Sequence, residues 1–435
     1  PGKTRISKDY CIFMFKNALE ENEVLALKCL FYLRDIRGGQ GERRFFRVCF
    51  HWLANEYPKI AQRNLINVVE YGRWDDLIYS CIGTKIENDA LTIIKNQLVL
   101  DLNSKTPSLL GKWLPSENAS SKKTKKMGNI VRKSFKMTHK EYRKTLSILR
   151  SRIKVLEKLM SENRWDEIEF DKIPSKAGLI YKNAFARHDI IAKKYKSFIK
   201  DTNTKVNADA LYPYEIVHKA LEQRRTNLND VNRLAINKYW EHQKDYLKDN
   251  PCKMMCVCDT SGSMTFGGSP APIDVAISLS LYCAERIGEP FKNHYISFAS
   301  KPQLIETKGV DFVDKVDRIY KTNLCDNTDL AKTFDMLLDI ADRPDVKEED
   351  IPDTIVVISD MEIDAMSCGN NGRYDEGWTE KTVMTEMDKI RAKWASHGHK
   401  MPRLIYWNVN ARNNTILDLG PDVSFISGAS PSIFE

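Results

Sequence analysis

The chain has 435 residues, 42% of them hydrophobic, and a formal net charge of +8, enough for two or three domains with full cores. No run of about 18 apolar residues occurs, so no helical membrane span is expected. The ten cysteines are scattered and form no Cys-x-x-Cys pair, which argues against zinc and for reduced structural thiols in an intracellular, cytoplasmic or nuclear, protein. The chain opens on Pro1 without a signal peptide and closes on a helix-opening Ser430-Pro431 pair, so residues are expected to be missing at both ends.

The charge is uneven. Residues 1–250 carry 48 Lys and Arg against 30 Asp and Glu, whereas residues 251–435 carry 19 against 29. The excess peaks over residues 101–200, with 25 basic and 10 acidic side chains. A basic half joined to an acidic half predicts one polyanion-binding module and one with a different task.

In chain order, apolar positions at three-and-four spacing predict helices within residues 10–33, 45–53, 60–69 and 93–102. The turn Arg34-Asp35-Ile36-Arg37-Gly38-Gly39-Gln40-Gly41 has two readings. Its glycines open backbone amides to phosphate, or they close a tight helix–helix turn in which Glu42 starts the next helix. No Gly-Lys-Ser/Thr follows, so it is no P-loop. Residues 107–138 are polar and Lys-rich and read as loop. Thr138-His139-Lys140-Glu141 is a capping box, predicted to open one long helix with Tyr142, Leu146, Leu149, Ile153, Leu156 and Leu159 on a single face. Gly72-Arg73-Trp74-Asp75-Asp76 is echoed by Asn163-Arg164-Trp165-Asp166-Glu167, a spacing of about two HEAT-type helical hairpins. The first domain is therefore read as a basic α-helical, HEAT-like repeat domain over residues 1–250.

After Asn250-Pro251 the rhythm changes. Short β-rich runs at 254–258, 294–299, 354–359, 404–409 and 423–426 alternate with helical stretches at 273–287, 330–340 and 379–394. That alternation predicts a second domain, residues 251–435, with a doubly wound, Rossmann-like parallel sheet. Ligands of such sheets bind beyond the carboxyl ends of the strands, where Asp259 and Asp360 fall.

The loop Asp259-Thr260-Ser261-Gly262-Ser263 carries the Asp-x-Ser-x-Ser signature of a metal-ion-dependent adhesion site. With Thr328 from Asp326-Asn327-Thr328-Asp329 and Asp360 from Ile358-Ser359-Asp360-Met361-Glu362, it offers two carboxylates and three hydroxyls. Oxygen ligands of low total charge suit Mg²⁺, or Mn²⁺ or Ca²⁺, and leave a position for a partner's carboxylate or phosphate. The competing reading makes Asp259 and Thr328 helix caps and the serines an ordinary turn.

The basic half concentrates its cations in Lys122, Lys123, Lys125, Lys126, Arg132, Lys133, Lys136, Lys140, Arg143 and Lys144, with His139, Phe135 and Tyr142 among them as candidate stacking rings. Arg150, Arg152 and Lys154 extend the run, and Lys193, Lys194, Lys196 and Lys200 form a second cluster. Clustered cations neutralise phosphates without reading sequence; the alternative is a solvated charge run or a localisation signal. The eight histidines form no His-x-x-x-His pair, no nucleophile–base arrangement is visible, and two-metal nuclease chemistry needs a denser carboxylate cluster. A binding protein rather than an enzyme is expected.

These motifs resemble the Ro autoantigen family, a TROVE module followed by a von Willebrand factor A domain, and most of all an uncharacterised Ro-like family of the same layout. The turn at Arg34, the helix start Leu211-Tyr212-Pro213-Tyr214-Glu215-Ile216 and the three metal loops carry the resemblance. It implies a ring of HEAT-like repeats closed by the A domain, compatible with a monomer. It also implies structured RNA on the outer surface, single-stranded RNA ends in a basic hole, and a divalent cation at the adhesion site with a protein partner. Residues 105–200 diverge from Ro proteins, so RNA binding rests there on charge rather than matched contacts. Two rivals stand: a metal-dependent protein-interaction adaptor, and a structural component of a larger assembly.

Overall fold

The computed structural model describes residues 7–248, 253–265, 270–299, 301–321, 329–360, 380–410 and 423–429. Thr328, Asn327, Met361, Glu362 and the Ser430-Pro431 pair lie outside these residues. The chain forms two compact units, one of Lys3–Ile173 with His188–Ala192, the other of Pro174–Arg187 with Lys193–Glu435.

The first unit is helical: α1 (Lys8–Glu21), α2 (Glu23–Arg34), α3 (Arg43–Glu56), α4 (Pro58–Arg63), α5 (Leu65–Tyr71), α6 (Trp74–Cys81), α7 (Glu87–Asn103), α8 (Leu110–Trp113), α9 (Lys122–Ser134), α10 (His139–Arg152) and α11 (Leu156–Ser161). Asn22 ends α1 and caps α2 by accepting from the Leu25 amide, so the two helices join with no loop. One core runs through Phe31, Phe46, Phe50, Leu77, Ile94 and Leu149.

The glycine turn between α2 and α3 is a tight connection. The Asp35 carboxylate accepts from the Arg37 and Gly38 amides, and the Gln40, Gly41 and Glu42 amides donate to Tyr32, Asp35 and Leu33 carbonyls. A Cβ on Gly39 would stand 2.0 Å from the Tyr32 carbonyl oxygen, and Gly41 takes φ +64°. These amides are spent on the turn, so the phosphate-cradle reading of the motif is set aside.

Two expectations are corrected. Residues 107–138 are not a loop but contain α8 and α9. Ser121 caps α9, Val131 faces inward, and Gly128 lets the helix approach the Pro115 carbonyl, where a Cβ would sit at 2.9 Å. So short an inward stripe, half of it glycine, leaves no apolar periodicity to read. The helix opened by the Thr138 capping box stops at Arg152, because Lys154 turns left-handed at φ +47°, and α11 starts afresh.

The Gly72–Asp76 motif is an ion network. Asp76 is fully buried and accepts from Arg34 Nε and Nη2 at 2.8 and 2.6 Å, from Arg47 Nε at 2.6 Å and from the Arg73 amide at 3.0 Å. Asp75 binds Arg47 and Arg73. Its echo differs: Trp165–Glu167 is a single 3₁₀ turn in which Arg164 grips Glu167.

The second unit joins α12 (Ser175–Arg187), α13 (Ala192–Lys200), α14 (Pro213–Gln223) and α15 (Val231–Glu241) to a six-stranded sheet. The sheet contains β1 (Met254–Asp259), β2 (His294–Phe298), β3 (Leu304–Glu306), β4 (Thr354–Ser359), β5 (Arg403–Asn408) and β6 (Val423–Ser427), in the order β3-β2-β1-β4-β5-β6. Only β3, an edge strand absent from the sequence reading, is antiparallel. β1 is buried throughout. Met254, Cys256 and Cys258 pack on the face covered by α14, α16 (Pro272–Arg286) and α17 (Phe312–Lys321); Met255 and Val257 face α18 (Leu330–Ala341) and α19 (Glu380–Ser396). Arg233 of α15 is bidentate to Asp311 at 2.7 Å, and Trp240 stacks on Phe312. Compactness thus divides the chain near residue 173, while the sequence rhythm changes near 250.

Removing Asp76 would leave buried Arg34 without its carboxylate. Asp76→Ala is expected to cost about 3–5 kcal/mol in urea unfolding; a loss below about 1 kcal/mol would mean that the guanidinium groups re-solvate.

Candidate metal centre and basic surface

The strand order reverses between β1 and β4, which opens the crevice where doubly wound sheets hold ligands. Parallel pairing of Cys258 with Ile358 puts Asp259 level with Ser359 at the carboxyl edge and Asp360 one residue beyond. After Asp259 the chain makes a short 3₁₀ turn, Gly262–Thr265, pinned because Met264 is fully buried and its sulfur lies 3.2 Å from the Asp360 amide.

This places Ser261, Ser263, Asp259 and Asp360 together. The two serine hydroxyls are 3.1 Å apart, and Ser263 Oγ lies 3.4 Å from Asp360 Oδ1. Asp259 is held from both sides, accepting from the Ser261 amide at 2.8 Å and the Ser359 hydroxyl at 2.5 Å. Burial pushes the Asp259 carboxyl above its ordinary range and nearby Asp360 adds to the rise, while the Ser359 and Ser261 hydrogen bonds oppose it. Thr328 lies outside the described residues; its neighbour Asp329 caps α18 through the Lys332 amide.

The donor set fits a hard cation. All the atoms are oxygens, and metal–oxygen distances near 2.1 Å put neighbouring octahedral ligands about 3 Å apart, close to the spacing of these side chains. Among the described residues no three His, Cys, Asp or Glu side chains gather as a metal cluster, so this group is distinguished by its hydroxyls. The sequence reading gave Ser359 no role; its position next to Asp360 at a strand end was the available signal.

On the first unit, Lys122, Lys123, Lys125, Lys126, Lys133, Lys136, Lys140, Arg143, Lys144 and His139 are exposed, as are Lys193 and Lys194 on α13 in the second. Arg132 is different. It is half-buried, donating from Nε to Glu117 and from Nη1 to the Met137 carbonyl, both at 2.7 Å, and it braces the α9–α10 turn. Arg150 likewise binds the Gly111 and Leu114 carbonyls and the Ser116 hydroxyl. Phe135 and Tyr142 are core residues, Tyr142 donating to the Pro115 carbonyl, so neither ring is open to a base. Two half-buried rings that the sequence reading passed over stand among cations: Tyr79 beneath Arg47 and Lys123, and Trp113 beneath Arg73 and Lys112.

A helical region leading into a doubly wound sheet, with an Asp-x-Ser-x-Ser loop at its switch point, is the Ro-like architecture. The crystal structure of the Deinococcus radiodurans Ro (RSR) protein aligns with 97% of this chain and 92% of that one, at a TM-score of 0.53 and 13% identity, a likeness of fold. The profile of a family described as a domain of unknown function (DUF2828) matches residues 3–101 and 113–250, more than half of the chain, and the protein belongs to that family. A second domain of unknown function (DUF7788) matches residues 253–435. An Acanthamoeba polyphaga mimivirus protein, named Uncharacterized protein L728, is 27% identical over 453 residues, covering 94% of this chain and 75% of that protein.

The brace and the surface cations separate by mutation. Arg132→Ala, which leaves the Glu117 carboxylate with His139 as its remaining partner, is expected to cost about 1–3 kcal/mol in denaturant unfolding, whereas Lys133→Ala changes stability by less than about 0.5 kcal/mol.

Proposed function

We propose that the protein is a non-enzymatic RNA-binding scaffold of the Ro type whose α/β domain carries a divalent-cation-dependent partner site. One observation carries the RNA reading. Residues 121–154 hold 13 Lys and Arg but a single carboxylate, Glu141, and that carboxylate is engaged in capping α10. Lys122, Lys123, Lys125, Lys126, Lys133, Lys136, Lys140 and Lys144 all face solvent and make no ion pair among the described residues. An uncompensated row of cations on ordered helices recruits phosphates by counterion release, whatever the base sequence. The Ro-like fold supports the same reading.

At the sheet edge, Ser261 and Ser263 are positioned to bind a cation directly. Asp259, already accepting two hydrogen bonds, is suited to hold its water and to orient the loop. Asp360 adds the second carboxylate, and Thr328, named from the sequence, lies outside the described residues. A bound Mg²⁺ supplies a Lewis-acid position for one carboxylate or phosphate oxygen of a partner.

Two measurements test these assignments. In a salt titration with single-stranded and hairpin RNA, Lys122/Lys123/Lys125/Lys126→Ala should show a shallower fall of affinity with salt than the native chain. On single strands the slope should drop by up to about 0.7 for each phosphate that is no longer neutralised. Identical slopes, or no RNA affinity at low salt, would remove the reading. Separately, about tenfold excess of Mg²⁺ over its Kd should stabilise the native chain by about 1.4 kcal/mol, or about 2–6 °C. Asp259→Ala should abolish that rise; an unchanged rise would place the cation elsewhere.

A further inference from the structure

The helical unit contains a second cationic feature, distinct from the lysine row and built from arginines. Arg34, Arg47 and Arg73 converge on Asp75 and Asp76, three guanidinium groups on two carboxylates. Arg43, in the first turn of α3, adds a fourth. It is exposed and makes no hydrogen bond or ion pair among the described residues. Burial, and then the charges of Arg47 and Arg73, hold Arg43 below the ordinary arginine range, which marks it as a neighbour of both.

The donors outnumber the acceptors. Arg47 and Arg73 each spend Nε and Nη2 on the aspartates, and their Nη1 groups make no hydrogen bond among the described residues. Arg34, 1% exposed, also leaves Nη1 without a hydrogen bond. Arg43, one helical turn before Arg47 on α3, feels the attraction of Asp75 and Asp76 as well as the repulsion of Arg47 and Arg73, yet hydrogen-bonds to neither aspartate. The surroundings add to the excess. Arg47 and Lys123 lie 4.6 and 5.2 Å from the centre of the Tyr79 ring, and Thr124 Oγ1 is 3.4 Å from its hydroxyl, so the start of α9 reaches this cluster. Arg73 lies 3.8 Å over Trp113, with Lys112 at 5.4 Å from the same ring.

We propose that Arg43, with the free Nη1 groups of Arg47 and Arg73 and with Lys123 beside them, forms a phosphate site that takes one backbone phosphate of single-stranded RNA. Guanidinium N–H groups in a fixed fork match a tetrahedral oxyanion better than the mobile ammonium groups of the row do. The lysine row then attracts the strand, and the arginine site fixes one phosphate of it. This assignment rests on the RNA reading above and names the part of the surface that holds a phosphate in a defined place.

The test uses the full chain and an oligouridylate, with affinity measured across a salt series. Arg43→Gln should weaken binding about tenfold and make the salt slope shallower by about 0.7, the share of one phosphate on a single strand. Its thermal unfolding should change little, since Arg43 makes no hydrogen bond or ion pair among the described residues. Arg43→Lys should recover the slope but only part of the affinity. If native chain and Arg43→Gln bind alike while the four-lysine variant is weakened, the arginine site is overturned and the RNA reading stands. If Arg43→Gln instead lowers thermal stability and leaves the slope intact, Arg43 is structural and the site is again overturned. If the native chain binds no oligouridylate or hairpin RNA at low salt, both fall together.

Discussion

The parallel pairing of β1 with β4 is the constraint on which the second unit depends. It joins two strands that are wholly or almost wholly buried, and it aligns their carboxyl ends, so that Asp259 and Asp360 arrive at one point without any long loop having to be ordered. The Ser359 hydroxyl then ties the end of β4 to the Asp259 carboxylate. Burial and the nearby Asp360 carboxylate both oppose ionisation of Asp259. The hydroxyls of Ser261, Ser263 and Ser359 reduce that penalty without adding charge. A site built mostly from hydroxyls keeps its total charge low, so that a cation seated there would retain attraction for an outside oxygen.

The first unit solves a different problem with the same charged residues. Several of its arginines are spent on carboxylates and carbonyls, Arg34 and Arg47 on Asp76, Arg132 on Glu117, Arg150 on the carbonyls around α8, while Arg37, Arg43, Arg44, Arg63 and Arg143 are exposed. Its lysines point outward and are largely left unpaired. The division follows from the side chains. A planar guanidinium satisfies several acceptors at once in a crowded interior, whereas an ammonium group is strongly hydrated and loses more on burial. Arg43 differs from Arg34, Arg47 and Arg73 in being exposed and in making no hydrogen bond or ion pair among the described residues.

The alternation of strand and helix was legible from Met254 onward, because strands buried on both faces leave near-continuous apolar runs and each helix between them keeps its stripe. β3 was not legible: three residues, Leu304–Glu306, with no fully buried side chain, give no periodic signal. α9 escaped for a related reason, since Gly128 fills an inward position where an apolar side chain would have been counted. Phe135 and Tyr142 misled because neighbouring lysines in sequence do not put a ring on the surface; both rings take the inward positions between exposed cations. The Asp-x-Ser-x-Ser loop was legible as a motif, and the structure brings its oxygens near Asp360. Its supports, Ser359 and Met264, were not, because their roles come from strand pairing and from packing beneath the loop. The compact division near residue 173 was hidden as well. α14 and α15 belong with the sheet through tertiary contacts that no local pattern announces: a core shared with β1 and α16, the Arg233–Asp311 pair and the Trp240–Phe312 stack.

The overall charge of +8 conceals how strongly the chain can act on a polyanion. At physiological ionic strength the screening length is about 8 Å, so acidic side chains farther away than that do little to offset a cation. What a phosphate meets is local: 13 cations and one engaged carboxylate within residues 121–154, and at the start of α9 a further group of guanidiniums whose two aspartates are already shared among three arginines. The excess of acid after residue 250 belongs to the second unit, where it disfavours loose phosphate. In the proposed reading that suits a cation site which needs only one oxygen from its partner.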